Sequence, residues 1–202
     1  AAAVAREECL ARRVLIVDWD VHHGNGTQEI FYRDPDVYYL SLHQSPLYPG
    51  TGAAAERGEG PGNGTTRNLP MGPGLAPGAY VEALEAAVEE AASFEPDLLL
   101  VSAGFDAGER DPLGGFTLGA EHFERLTRRL VELTAASTGG RTVSALEGGY
   151  DPSELGRNVV GHLRALVDVS TGDAGEPGRV EGAASGRAGC CLLYTSPSPR
   201  DR

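Results

Sequence analysis

The chain has 202 residues, 41% hydrophobic and 23% charged, an ordinary composition for a water-soluble globular protein. A net charge of −12 argues against nonspecific nucleic-acid binding, which needs a basic surface, and no apolar run is long enough to span a bilayer. Three cysteines, two of them adjacent, form neither a disulfide framework nor a zinc-finger spacing, so a reducing compartment, the cytoplasm, is expected.

Residues 1–13 carry no initiator methionine and lead almost at once into a core-type strand, so the chain reads as truncated at its N-terminus. No signal-peptide pattern is visible. The apolar run 14–17 predicts a buried strand. It opens into Asp18-Trp19-Asp20-Val21-His22-His23-Gly24-Asn25-Gly26. In an extended strand, side chains two apart share a face, which puts Asp18, Asp20 and His22 on one side at the strand's end. Oxygen and nitrogen donors two residues apart, backed by a second carboxylate, suit a zinc-type site.

A second strand is predicted over 37–42. Residues 45–77 are rich in Gly and Pro, have no helical period, and follow a strand end, so they read as the rim of a site. Val81, Leu84, Val88 and Ala91 recur at helical spacing within 79–94, and Pro96 forbids continuation. The strand predicted at 98–101 runs into Gly104-Phe105-Asp106. Phe123, Leu126, Leu130 and Leu133 mark a helix over 120–135, closed by Gly139-Gly140. The strand predicted at 142–146 delivers Glu147-Gly148-Gly149-Tyr150. Another helix opens at Asp151-Pro152-Ser153-Glu154, with Asp151 as cap and Glu154 bonding back.

The domain is assigned to 1–169, a linker to 170–189, and a non-native tail, excluded from the fold, to 190–202. Strands alternating with helices imply an α/β fold, a parallel sheet flanked by helices, and in such sheets sites form at the carboxyl ends of strands. Two acids and an imidazole from two strand tips make a three-ligand metal site with open positions, the arrangement of a catalytic zinc. Tyr150, from a third tip, is placed to donate to an oxyanion. Singly, Asp106 would be a cap or turn residue and Gly148-Gly149 a turn; their coincidence at parallel strand ends argues for a site.

Together, Asp18-x-Asp20-x-His22-His23-Gly24-Asn25-Gly26, Pro49-Gly50-Thr51-Gly52, Gly104-Phe105-Asp106 and Glu147-Gly148-Gly149-Tyr150 resemble the zinc-dependent histone deacetylases. Asn25 and the Leu-Glu-Gly-Gly-Tyr wording resemble the class II branch and its bacterial relatives. The resemblance covers about 14–167, the C-terminal part of such a catalytic domain. It implies an arginase/deacetylase-like fold and zinc (or iron(II)) on Asp20, His22 and Asp106, with Tyr150 polarising the amide carbonyl. Asp18 and Asn25 would each orient one histidine of a catalytic pair. Backbone carbonyls of Asp18, Asp20, His22 and Leu42, with the side chains of Asp18 and Ser41, would match a structural potassium site. Tyr48, Leu113, Gly148 and Gly149 would line the substrate tunnel.

The resemblance departs from this chain in one place. Family members carry a His-His pair upstream of the first zinc motif, acting as general base and acid, and these residues begin after it. His23, His43, His122 and His162 do not replace it; His122 and His162 read as helix-surface or packing residues. The implied activity is removal of acetyl or other acyl groups from protein lysines, with an acetylated protein or peptide as partner and neither nucleic acid nor membrane. The fragment alone is expected to be inactive and to expose sheet edges. The alternatives are an acetylpolyamine amidohydrolase, disfavoured by Leu113 where polyamine-selective members place a glutamate, or an inactive deacetylase-like binding module. An arginase-type ureohydrolase needs a different acidic pattern.

Overall fold

The computed structural model describes residues 1–171 and 191–194; at 170–171 and 191–194 it describes only the backbone. The expected linker, 172–189 of it, and the rest of the tail lie outside the described residues. Six parallel strands form one sheet in the order β3-β2-β1-β4-β5-β6. They are β1 (Val14–Asp18), β2 (Val37–Gln44), β3 (Thr66–Met71), β4 (Leu98–Ala103), β5 (Thr142–Leu146) and β6 (Cys191–Tyr194). The four strands expected from apolar runs are all present, and they form the centre of the sheet.

Every residue of β1 and β2 is buried, as expected where helices cover both faces. One face carries Leu15, Val17, Leu40, Leu99 and Val101 against α3 (Pro77–Ala92), α4 (Ala120–Thr138) and α5 (Leu155–Thr171). Tyr80, Leu84 and Val88 of α3 and Phe123, Leu126 and Leu130 of α4 fill that layer. The other face, with Val14, Ile16, Tyr39 and Leu100, packs on Ala2 and Ala5 of α1 (Ala2–Glu7) and Phe31 of α2 (Asn25–Phe31).

Helix limits follow local chemistry. Pro77 occupies the first turn of α3, where its missing N–H costs nothing. Gly139 ends α4 in the left-handed conformation at φ 60°. His122 Nδ1 accepts the Gly119 N–H at 3.0 Å, so this half-buried surface histidine caps the start of the helix. His162 is a packing residue, 1% exposed. Asp151 does not cap α5 as expected: its carboxylate takes the Ser153 N–H at 2.7 Å, closing a turn, and the helix begins at Leu155.

Four elements differ from the sequence reading. β3 lies inside the segment expected to be irregular; Thr-Arg-Asn-Leu-Pro-Met has no apolar run, and Pro70 is tolerated because β3 is an edge strand. α1 and α2, of six and seven residues, are too short for a helical period to show in the sequence. The tail was excluded from the fold, yet Cys191–Tyr194 runs parallel to β5. The open edge of β5 offers unpaired N–H and C=O groups, and a short apolar segment satisfies them.

Candidate metal centre

β1 ends at Asp18, so the two-residue alternation stops there and does not itself bring Asp20 and His22 together. The loop does so by its own hydrogen bonds: Asp18 Oδ1 accepts the Asp20 N–H at 3.2 Å, and Asp20 Oδ1 accepts the His22 N–H at 2.9 Å. Asp18 and Asp20 accordingly part ways. The Asp18 carboxylate turns to the Tyr39 hydroxyl, 2.9 Å away, on the other side of the sheet.

The tips of β1, β4 and β5 hold one another. Asp106 Oδ1 accepts the Val21 N–H at 2.8 Å. Asp20 Oδ2 accepts the Gly148 N–H at 3.0 Å, and the Gly148 carbonyl accepts the Phe105 N–H at 2.8 Å. This crossing of backbones needs glycine. A Cβ on Gly148 would lie 2.2 Å from Asp106 Oδ2, and one on Gly104 would lie 2.4 Å from the Asp20 Cα.

One donor atom each from Asp20, His22 and Asp106 lies within 4.8 Å of the others, all three residues being buried. His22 Nδ1 is 3.0 Å from Asp20 Oδ1 and 3.3 Å from Asp106 Oδ2. The second approach is not aligned as a hydrogen bond, and Asp106 Oδ2 is left without one. Burial raises the Asp106 carboxyl to about 7, helped by the charge of Asp20 and opposed by His22 and the Val21 N–H. Burial lowers His22, but the approaches of Asp106 and Asp20 outweigh it and raise the imidazole to about 10. Two buried carboxylates and one imidazole, with an unsatisfied oxygen among them, fit a divalent cation of the zinc or iron(II) type.

The other expected site residues are placed as follows. Asp18 and Ser41 are register neighbours on β1 and β2. The Ser41 hydroxyl is 2.9 Å from His43 Nδ1, and the Tyr80 hydroxyl reaches the Leu42 carbonyl at 3.5 Å. Tyr48, 57% exposed, meets the His22 ring edge-on at 6.5 Å between centroids, and Leu113 is 45% exposed. Asn25 is exposed in the first turn of α2, on a groove shared with His23, Gln28, Thr51 and Glu56. Tyr150 follows Gly148 by two residues and lines a crevice with Phe105, Asp111 and Asn158.

Sequence reasoning missed two features. The His23 and His43 rings lie 4.8 Å apart between centroids, tilted by 50°; His23 reaches Thr51 Oγ1 at 2.8 Å and Gln28 Oε1 at 3.0 Å, tying the 49–52 loop to α2. Burial, then the neighbouring His23, lowers His43 to about 4. Asp111 bonds the backbone of Tyr150 at 2.6 Å. No spacing along the chain signals either contact.

The family model for the histone deacetylase domain matches residues 1–166. The chain is 45% identical over 168 residues to the chloroplastic histone deacetylase 10 of Oryza sativa subsp. japonica, covering 83% of this chain and 38% of that protein. It is 43% identical over 139 residues to a probable deacetylase of Archaeoglobus fulgidus, covering 68% and 39%. Among solved structures, the histone deacetylase Clr3 superposes with a TM-score of 0.76 at 38% identity, covering 90% of this chain and 30% of that one. The HD domain of HDA15 gives 0.75 at 38% identity, covering 82% and 48%. The chain thus spans less than half the length of each of these relatives. With its backbone and strand-end chemistry in agreement with these likenesses, the chain belongs to the histone deacetylase family.

Proposed function

We propose that these residues form the metal-binding half of a zinc-dependent amide hydrolase that removes acetyl or other acyl groups from lysine side chains. The observation that carries this reading is the buried convergence of Asp20, His22 and Asp106 at the tips of adjacent parallel strands. When bound, zinc supplies Lewis acidity to the acyl oxygen and to the attacking water.

The chain's own residues do the rest. Asp20 and Asp106 are held by backbone N–H groups of other strand tips, so their lone pairs are oriented before any ligand arrives. The Tyr150 hydroxyl donates to the developing oxyanion. Tyr48 and Leu113 offer apolar surface to the lysine stem. Leucine at 113 favours acyl-lysine over acylpolyamine, which would need a carboxylate to hold its second cationic centre.

The histidines other than His22 are engaged elsewhere: His23 with Thr51 and Gln28, His43 with Ser41 and Gly52, His122 at the start of α4, and His162 between Thr127 and Ser144. The proton-transferring pair is therefore expected from a segment outside these 202 residues, and this chain alone is expected to bind metal poorly and to turn over little or nothing. Potassium at Asp18, Ser41 and Leu42 is proposed as structural, supported by the register that pairs Asp18 with Ser41. The acidic charge supports protein or peptide substrates rather than nucleic acid. Among the described residues, no helix is long and apolar enough to cross a membrane, and a cytoplasmic setting is proposed.

The test uses a catalytic domain of full family length containing these residues, loaded with zinc. It should hydrolyse an acetyl-lysine peptide in preference to acetylspermidine. Asp20→Asn and Asp106→Asn should both abolish turnover and zinc retention. Preference for acetylspermidine would select the polyamine reading. Zinc retention without hydrolysis of either would select a binding module.

A further inference from the structure

We propose that Asp111 is a positioning residue for Tyr150, clamping the catalytic loop after β5 to the substrate rim after β4. The inference rests on the proposed oxyanion role of Tyr150. Asp111 is 9% exposed, and its two carboxylate oxygens are spent on two different loops. Oδ2 accepts the Tyr150 N–H at 2.6 Å, across 39 residues of sequence, and Oδ1 accepts the Leu113 N–H at 2.9 Å. Both are charge-assisted bonds to backbone, the stronger class of hydrogen bond.

The need for such a clamp follows from the loop itself. Gly148 is anchored by Asp20 and Phe105, but Gly149 sits at φ +133°, a region closed to other residues. A glycine hinge directly after the metal anchor cannot by itself dictate where Tyr150 goes, so the loop needs a second anchor beyond it. Two further ties between these loops lie at the surface. Arg110 faces Asp151 at 3.6 Å with its side chain 66% exposed, and the Arg110 N–H reaches Glu154 at 3.3 Å on the surface. Exposed pairs of this kind contribute little. Asp111 is a buried anchor beyond the glycine. The same carboxylate orders Leu113, so rim geometry and hydroxyl position are set by one side chain.

Two readouts test this. In the present chain, NMR hydrogen exchange should show a protected Tyr150 amide that loses protection in Asp111→Ala and keeps part of it in Asp111→Asn. Unchanged protection in Asp111→Ala overturns the clamp. In the zinc-loaded full-length domain, Asp111→Ala should lower kcat roughly ten- to hundredfold with zinc content unchanged, the cost of misplacing a reacting group by about an ångström. Asp111→Asn, which keeps one acceptor, should lose less.

The decisive comparison is the cycle with Tyr150→Phe. If Asp111 acts through the hydroxyl, adding Asp111→Ala to Tyr150→Phe changes kcat by less than about twofold. A full, multiplicative loss in the double variant overturns the positioning role while leaving the oxyanion reading intact. A Tyr150→Phe enzyme with undiminished kcat instead overturns the oxyanion reading, and the clamp's catalytic role with it.

Discussion

Replacing Gly148 by alanine should destroy the metal site while leaving the sheet intact. The added Cβ falls 2.2 Å from Asp106 Oδ2, 2.7 Å from Asp106 Cγ and 2.8 Å from Asp20 Oδ2. Ordinary contact begins near 3.4 Å, so the nearest ligand oxygen must yield by about 1 Å. Neither side has room to give. Asp106 is fully buried and pinned through Oδ1 to the Val21 N–H, and Gly148 cannot withdraw without breaking its bonds to Asp20 and Phe105. Metal sites hold their distances within about 0.2 Å. A ligand displaced several times that far should weaken zinc binding at least about hundredfold, or about 2.7 kcal/mol. The assay is competition for zinc against a chromophoric chelator, with circular dichroism to confirm the fold. Gly78→Ala is the control, because a Cβ there meets nothing within 4 Å. A Gly148→Ala chain binding zinc within about threefold of the parent would refute the assignment of Asp106 and Asp20 as ligands.

Tyr150→Phe in the full-length domain should lower kcat about hundredfold with KM little changed, as for other oxyanion donors, and steady-state kinetics would show otherwise if the hydroxyl were idle. Zinc affinity should rise roughly tenfold per pH unit between about pH 8 and 9, above the Asp106 titration near 7. The reason is that metal-free His22, raised to about 10, must surrender a proton to bind; chelator titrations giving a flat profile would contradict this. Burial lowers His162 to about 4 from 6.5, so the folded state binds fewer protons than the unfolded state between those values. The stability His162 contributes is present above 6.5 and is lost as pH falls towards 4, about 2 kcal/mol of it by about pH 5. Urea melts at about pH 7.5 and 5 should show that loss shrinking in His162→Gln, since groups common to both proteins cancel, and an unchanged loss would exclude His162 as its source.

The neutral state of His162 also shows how burial selects chemistry. The Thr127 hydroxyl donates to the Phe123 carbonyl at 2.7 Å, so it accepts from His162 Nδ1 at 2.6 Å, and Nε2 is left to accept from the Ser144 hydroxyl at 2.9 Å. A neutral ring is thus fully satisfied between α4 and β5. Of the two sequence readings of this residue, surface or packing, the structure selects packing, because sequence periodicity says which face of a helix is apolar but not which polar residue will find partners there.

Local sequence already determined the four central strands, the spans of α3 and α4, and the residues of the candidate metal cluster. Apolar runs bounded by Gly, Pro and acids encode buried strands directly, and Asp20, His22 and Asp106 stand beside strand ends whatever the register. Only the tertiary structure decided the rest. β3 exists because the open edge of β2 pairs with it, although its own sequence contains Pro70 and no apolar run. Asp18 parts from Asp20 because Tyr39, on the neighbouring strand, offers it a hydroxyl. Gly148 is indispensable because two carboxylates from other strands occupy the space where its Cβ would stand. Asp111 meets Tyr150 across 39 residues because two loops fold over one pair of adjacent strands. A short-range code specifies which residues sit at the strand tips; the crossing of the chain specifies what each tip touches, and no separation in sequence records it.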